Sequence, residues 1–425
     1  MELKTLSKFA VTEPQAAYAA YSFGMKAKWN FLQRTIPCTG HLFQPLEDLL
    51  QSTFLPNLTG RALSQTEREI MTLPARNGGL GITNPTQTAE SSFQDSMKIT
   101  EELSSMIKEQ KWDCPKEGTT KKAKQEVVKH KREREKQMLV VIKDKIKAEF
   151  RDNKKPQMLT AIEMATLKGA SSWLTALPLQ EQNFTLNKAE FRDALALRYG
   201  WRPKNLPQKC ACGAQNSISH CLDCKLGGYV TWRHNQTRDT FASLLRKAGC
   251  KGVETEQQLL PDEGELEQAS KGTEKGDDAR MDVTAIGFWG TWQRAFFDVR
   301  VFDPFAPSYA NRTLTSLFKQ QEKEKKKKYG ERIREIERSS FTPLIFTVTG
   351  GCGKECDIAL KRLASLISSR TNTPHSTIMS WMRTTLGFTL IRSSIHCLRG
   401  WRRAKASTRD TLEADPEIIR AEAHL

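Results

Sequence analysis

The sequence is short of acid. Its 66 Lys and Arg stand against 49 Asp and Glu, a formal net charge of +17 over 425 residues. A solvated enzyme acting on a small molecule does not need that excess. A polyanionic partner accounts for it, either nucleic acid or an anionic membrane surface. No run of about 18 apolar residues occurs, so no membrane span is expected. The opening Met1-Glu-Leu-Lys lacks the basic-then-apolar order of a secretory leader. There is no internal repeat. The ten cysteines do not form a spaced disulfide framework, because four fall between Cys210 and Cys224 and the rest are scattered. That distribution points to a metal site in a reducing compartment.

What is present is enough apolar material, 38% of residues, to build folded cores. Length alone suggests about three domains. Residues 1–110 read as helical, with Leu42, Leu46, Leu49 and Leu50 on one face and a capping-box spacing at Ser64 and Glu67. That helix should stop before Pro74, where a glycine-punctuated loop, Leu73-Pro-Ala-Arg-Asn-Gly-Gly-Leu-Gly-Ile, begins. Residues 111–165 read as a basic, partly helical connector with a thin stripe of Val127, Leu139, Val140, Ile142 and Ile146. Residues 166–229 read as a helical linker carrying a Cys/His cluster. Residues 230–402 read as one α/β unit in the order helix, three strands, helix, strand, helix. Residues 403–425 read as a disordered tail.

The Cys/His cluster has the spacing C-x-C-x7-H-x3-C, from Cys210 and Cys212 through His220 to Cys224. Zinc takes four such ligands in a tetrahedron. A turn at Cys212-Gly213 supplies a close thiolate pair, and His220 and Cys224 lie about one helical turn apart. Cys221 and His234 are spare candidates, so spacing leaves the ligand set open. Four protein ligands leave no free position, which makes the role structural.

Two acids stand alone inside apolar strand runs: Asp282 in Ala-Arg-Met-Asp-Val-Thr-Ala-Ile and Asp298 in Ala-Phe-Phe-Asp-Val-Arg-Val-Phe. A hairpin through Gly287-Phe-Trp-Gly290 would bring them together. An ionised carboxylate there is costly unless it is paired or holds a metal. Mg²⁺, or Mn²⁺, would relieve the repulsion of the pair and act on a phosphodiester. Glu256 on the preceding strand offers a third oxygen. Arg300 shares a strand face with Asp298 and would clamp phosphate. The downstream basic helix offers Lys325 or Lys326 beside the carboxylates, and Tyr329 to position phosphate or water. The bland account pairs each Asp with a neighbouring Arg, such as Arg280 or Arg300. Thr349-Gly-Gly-Cys-Gly-Lys-Glu355 imitates a phosphate loop, but Val348 and Glu355 stand where Gly and Ser or Thr are required. It reads as a tight strand-to-helix turn.

Read together, these residues resemble a known family. Gly169-Ala-Ser-Ser-Trp-Leu-Thr-Ala-Leu-Pro, Phe191-Arg-Asp-Ala-Leu, the Cys210 to Cys224 cluster, Gly227-Gly, Arg233-His-Asn and Val253-Glu-Thr-Glu256 come first. Arg280-Met-Asp282, Phe296-Phe-Asp-Val-Arg-Val, Tyr329, Phe341-Thr-Pro-Leu and Gly350-Gly follow in order. The series is similar to the C-terminal half of non-LTR retrotransposon polyproteins that carry a restriction-like endonuclease. Leu73 to Ile82 is similar to the segment after the polymerase palm in the same polyproteins. The resemblance implies a PD-(D/E)xK-type core, a mixed central sheet flanked by helices, with Asp282 and Asp298 as its acids. It places the family's zinc motif on Cys210, Cys212, His220 and Cys224. It implies Mg²⁺-dependent nicking of a DNA target, with element RNA and the missing reverse transcriptase portion as partners, in the nucleus after cytoplasmic synthesis, and no membrane. Met281 stands where Pro is usual, and Arg300 where Lys is usual. No aromatic-x-Asp-Asp signature occurs, so polymerase activity is not expected. The alternative is a non-catalytic, zinc-containing nucleic-acid-binding protein derived from such an element.

Overall fold

The structure is a computed structural model that describes residues 1–110, 119–149, 157–261, 279–309 and 312–400. The chain divides into two compact units, residues 1–162 with 177–195, and residues 163–176 with 196–425. Among the described residues the first unit is helical throughout, and the second is a mixed α/β unit with one four-stranded sheet.

In the first unit the capping box forms as its spacing predicts. Ser64 Oγ accepts from Glu67 N at 3.2 Å, and Glu67 Oε2 accepts from Ser64 N at 2.8 Å, opening the helix Gln65–Thr72. The loop that follows needs its glycines: a Cβ on Gly79 would lie 2.0 Å from the Leu73 carbonyl oxygen. Arg68 and Glu47, both almost fully buried, form a two-pronged pair at 2.8 and 2.7 Å. The basic stretch is a single helix, Thr119–Glu149, about 46 Å long at the standard rise. Val127, Ile142 and Ile146 of the expected stripe are buried, while Val140 is exposed.

In the second unit, α1 is Ile218–Asp223 and α2 is Tyr229–Lys247. The strands are β1 Lys251–Gln258, β2 Arg280–Ile286, β3 Arg294–Phe302 and β4 Ser340–Thr347. Helix α3, Leu314–Glu335, carries the chain from β3 to β4, and α4 (Lys354–Thr371) and α5 (His375–Arg399) follow. The sheet order is β1-β2-β3-β4. β1/β2 and β2/β3 are antiparallel and β3/β4 is parallel. A parallel pair needs a crossover, which α3 supplies. Pro343 lies on the edge strand β4, where its missing N–H costs least.

Both faces of the sheet are covered. Phe297, Val299, Val283 and Phe346 pack against Phe241 and Leu245 of α2, Leu363 of α4 and Met382 of α5. On the other face Phe296 and Met281 meet Tyr329 and Ile333 of α3, while Phe302 and Ile345 meet its Leu317 and Phe318. Two-sided burial explains why β3 is a near-continuous apolar run rather than an alternating one. It also makes the acid in that run conspicuous. Helix α5 was not singled out in the sequence. It buries residues all round its circumference, from Ile378 and Met382 to Leu390 and Cys397, so it shows no one-sided stripe.

Phe297 is fully buried, with ring centroids 5.1 Å from Phe241 and 5.0 Å from Phe288. Phe297→Ala should destabilise the second unit by about 3–5 kcal/mol, measured by urea unfolding. A loss below about 1 kcal/mol would contradict the packing described.

Candidate zinc centre and acidic site

The four expected ligands converge. A short antiparallel bridge between Lys209 and Gln215 closes a knuckle in which Cys210 N donates to Ala214 O at 2.8 Å and Gly213 N to Cys210 O at 2.9 Å. Gly213 adopts φ +90°, which a side chain would resist. Ser217 Oγ accepts from His220 N and caps α1, which sets His220 one turn before Cys224. Cys210 Sγ lies 3.9 Å from Cys224 Sγ, and Cys212 Sγ lies 3.3 Å from His220 Nε2. All four ligand atoms fall within 4.8 Å of one another. A tetrahedral zinc site with Zn–S of about 2.3 Å spaces its sulfurs by about 3.8 Å, so this donor set could bind zinc. The spare candidates go elsewhere. Cys221, buried, donates to Asn216 Oδ1 at 3.2 Å, and His234 turns to Asp282.

Asp282 and Asp298 lie on adjacent antiparallel strands, one residue beyond the paired Val283 and Phe297. The hairpin through Gly287 and Gly290 forms, with Gly287 at φ +91°. Each acid takes a partner from a helix, and Arg300 turns to Glu324. Asp282 Oδ1 is 3.0 Å from His234 Nε2, and its Oδ2 accepts from Val299 N at 2.5 Å. Asp298 is only 4% exposed. Lys325 Nζ approaches its Oδ1 at 3.0 Å and its Oδ2 at 2.8 Å. Oδ2 meets that ammonium as an ion pair and accepts no well-aligned hydrogen bond. A buried carboxylate oxygen with spare lone pairs suits a hard cation.

The electrostatics are coupled. Burial pushes the Asp298 carboxyl above its ordinary range, Lys325 pulls it back, and the Asp282 charge pushes it up again. Burial alone would lower His234, but its bond to Asp282 and the charges of both acids outweigh that and raise it. The other expected members sit at the margin. Glu256 adopts φ +58° on the edge strand β1 and pairs with Arg238. Arg300 pairs with Glu324 at 3.1 Å, and Lys326 with Glu355 at 2.8 Å. The buried Tyr329 ring lies under Lys325 and Lys328, with their ammonium groups 5.7 and 4.8 Å from its centroid. Of the two lysines proposed for the acids, Lys325 is the one placed at Asp298.

The tight turn after β4 also forms. Gly350 has φ +100°, and Glu322 Oε1 accepts from Glu355 N at 3.1 Å at the start of α4. A carboxylate thus sits at the helix terminus that a phosphate loop would use.

Two partners of the acids and one further buried acid escaped the sequence reading. His234 and Arg238 lie four residues apart on α2 and reach Asp282 and Glu256 respectively. That i,i+4 spacing was a usable signal. Asp303, at the end of β3, is 2% exposed, and burial together with the nearby charge of Asp223 raises its pKa to about 7. Comparison with protein-family models and with curated proteins gives no match. No described helix is long and apolar enough to cross a membrane.

Two predictions follow from this geometry. The purified chain should hold one equivalent of zinc by atomic absorption. Cys210→Ser and Cys224→Ser should lose it, and Cys221→Ser and His234→Ala should keep it; zinc retained by Cys224→Ser would refute the ligand set. Asp303 has a folded pKa of about 7 against an ordinary 3.8. A raised folded pKa stabilises below the ordinary value, and that stability is lost as pH rises through 7. Wild type should therefore lose about 2 kcal/mol more than Asp303→Asn between about pH 5.5 and 8, measured by denaturant unfolding. Parallel pH profiles for the two proteins would contradict it.

Proposed function

We propose that this chain is a divalent-metal-dependent DNA endonuclease with a restriction-endonuclease-like core. In this reading it is the C-terminal part of a non-LTR retrotransposon polyprotein. It nicks target DNA, and the free 3′ end primes reverse transcription of the element's RNA. The observation that carries the reading is Asp298, a nearly buried acid in a two-sided apolar strand, faced by Lys325 and electrostatically coupled to Asp282. The family resemblance stated from the sequence supports the same assignment.

Asp282 and Asp298 would hold Mg²⁺ or Mn²⁺, which supplies activation of water and neutralisation of charge on the phosphodiester. Glu256 stands on the neighbouring strand but is engaged by Arg238, so it serves as a ligand only after leaving that partner. His234 fixes the orientation of the Asp282 carboxylate. Lys325 keeps positive charge beside Asp298, where an attacked phosphate gains negative charge. The Tyr329 ring faces the ammonium of that lysine, which lies 5.7 Å from its centroid. Arg300 projects from the same strand and would clamp phosphate. The zinc knuckle is structural in this scheme, with four ligands and no open position.

One observation favours the second reading, a non-catalytic zinc-containing nucleic-acid binder. Each acid of the site already has a cationic or hydrogen-bonding partner within the chain. Conversion of supercoiled plasmid to open circle in Mg²⁺ or Mn²⁺ decides between them. Wild type should nick. Asp298→Asn and Lys325→Met should slow nicking by about 100-fold or more, and Lys326→Met should stay within about twofold of wild type. Wild-type protein that binds DNA but never nicks it with either ion would leave only the second reading.

A further inference from the structure

At the opposite end of the same sheet, the β2–β3 hairpin holds Trp292 out in water with 82% of its surface exposed. Tryptophan is normally among the more buried residues. Disorder does not explain its position, because the hairpin tip is built to be rigid. Gly287 N donates to Gln293 O at 3.0 Å, and Gln293 N to Gly290 O at 3.1 Å. Phe288 is fully buried beneath the tip, and Arg362 of α4 donates through Nε to Phe288 O at 2.8 Å.

The surroundings are cationic. Lys251 Nζ lies 5.8 Å from the Trp292 ring centroid, and Lys247 Nζ lies 4.3 Å from that of Trp381. Arg370 Nη1 donates to Lys247 O at 3.3 Å, which ties the ends of α2 and α4 together here. The segments 246–253, 287–294 and 362–370 meet at this end of the unit. They contain six Lys and Arg and no Asp or Glu. Among the described residues no ion pair is formed by Lys247, Lys251 or Arg294. Arg294 is four residues from Asp298 along β3, about 14 Å at the strand rise, so this surface is separate from the acidic site.

We propose that this end of the sheet is a platform for single-stranded nucleic acid. An unpaired base stacks on the Trp292 indole, and Lys251, Lys247 and Arg294 hold the flanking phosphates. Exposed aromatic faces set among cations are what unstacked bases use, and each stacked base is worth about 1–3 kcal/mol. A duplex keeps its bases stacked inside and offers this indole only backbone. The platform does not depend on the acids that would cut DNA.

Fluorescence anisotropy of the full chain in EDTA tests it, using labelled oligothymidylate, oligouridylate and a duplex of about 15 nucleotides. Trp292→Ala should weaken single-strand binding about tenfold, Trp292→Phe should restore most of it, and duplex binding should change less than twofold. Loss on the DNA strand, the RNA strand or both supports the platform and tells which strand it takes. Lys247→Ala with Lys251→Ala should lower the log-log salt slope by about 1.4. EDTA removes the divalent ion that nicking needs, so binding read this way separates failure of this proposal from failure of the nuclease reading. Circular dichroism melting checks that each variant is folded. Unchanged single-strand affinity of folded Trp292→Ala, or an equal loss on the duplex, overturns the proposal and leaves the face to a protein partner.

Discussion

A carboxylate in the middle of a strand covered on both faces is the constraint around which the second unit is arranged. Moving an ionised group out of water costs several kcal/mol even after relaxation. Asp298, at 4% exposure, meets that cost with the Lys325 ammonium. The lysine is in place because α3 crosses over the sheet between β3 and β4, and Tyr329 and Ile333 anchor that helix against Phe296 and Met281. The crossover demanded by a parallel β3/β4 pair is thus the same element that brings the counter-charge. On the other side of β2, α2 brings His234 to Asp282. Each acid is served by a different helix, so the pair is sensitive to how both helices seat on the sheet.

The legibility of this arrangement differed from element to element. β2, β3 and β4 were readable because each is a short run rich in Val, Ile and Phe, bounded by Gly, Pro or charge. The capping box at Ser64 was readable because its partner Glu67 lies three residues away, so the signal is local. The zinc donors were readable as a cluster, but spacing could not separate His220 from His234 or Cys224 from Cys221. That choice depends on Asn216 accepting from Cys221 and on α1 aligning His220 with Cys224. Helix α5 left no signal because burial on all sides removes amphipathic periodicity. Lys325 was readable only as one of two candidates on the basic helix, and the His234 partner of Asp282 was not readable, because neither acid's partner is a strand neighbour. Their partners come from helices 48 and 27 residues away.

Glu256 illustrates a limit that sequence position sets on inference. Its neighbours pair in register, Thr255 with Val283 and Gln257 with Met281, so the residue stands opposite Asp282. A third oxygen ligand was a reasonable expectation from that register. Yet the residue takes a left-handed backbone, φ +58°, and its carboxylate is drawn to Arg238. A non-glycine residue in that region costs roughly 1–2 kcal/mol. Strain beside a site and an ion pair that holds the carboxylate aside are two features of one local arrangement. If Glu256 exchanges Arg238 for a cation, the same edge strand supplies a ligand without any change of register.

Charge is distributed along this sheet with a direction. Its two central acids lie at one end of the β2–β3 hairpin, compensated by helix-borne cations. The other end, around Trp292, carries cations with no acid in the adjoining segments. The chain's +17 is therefore not a uniform haze of surface lysine. A phosphate chain is attracted first by unpaired positive charge and reaches the carboxylates only where lysine or a divalent ion offsets their repulsion. In the proposed reading the basic end would hold the strand, and Lys325 would let a phosphodiester approach Asp298. Removing Lys325 would leave a buried anion without its counter-charge, so the residue that stabilises the fold at β3 is also the one that the proposed chemistry at that carboxylate would require.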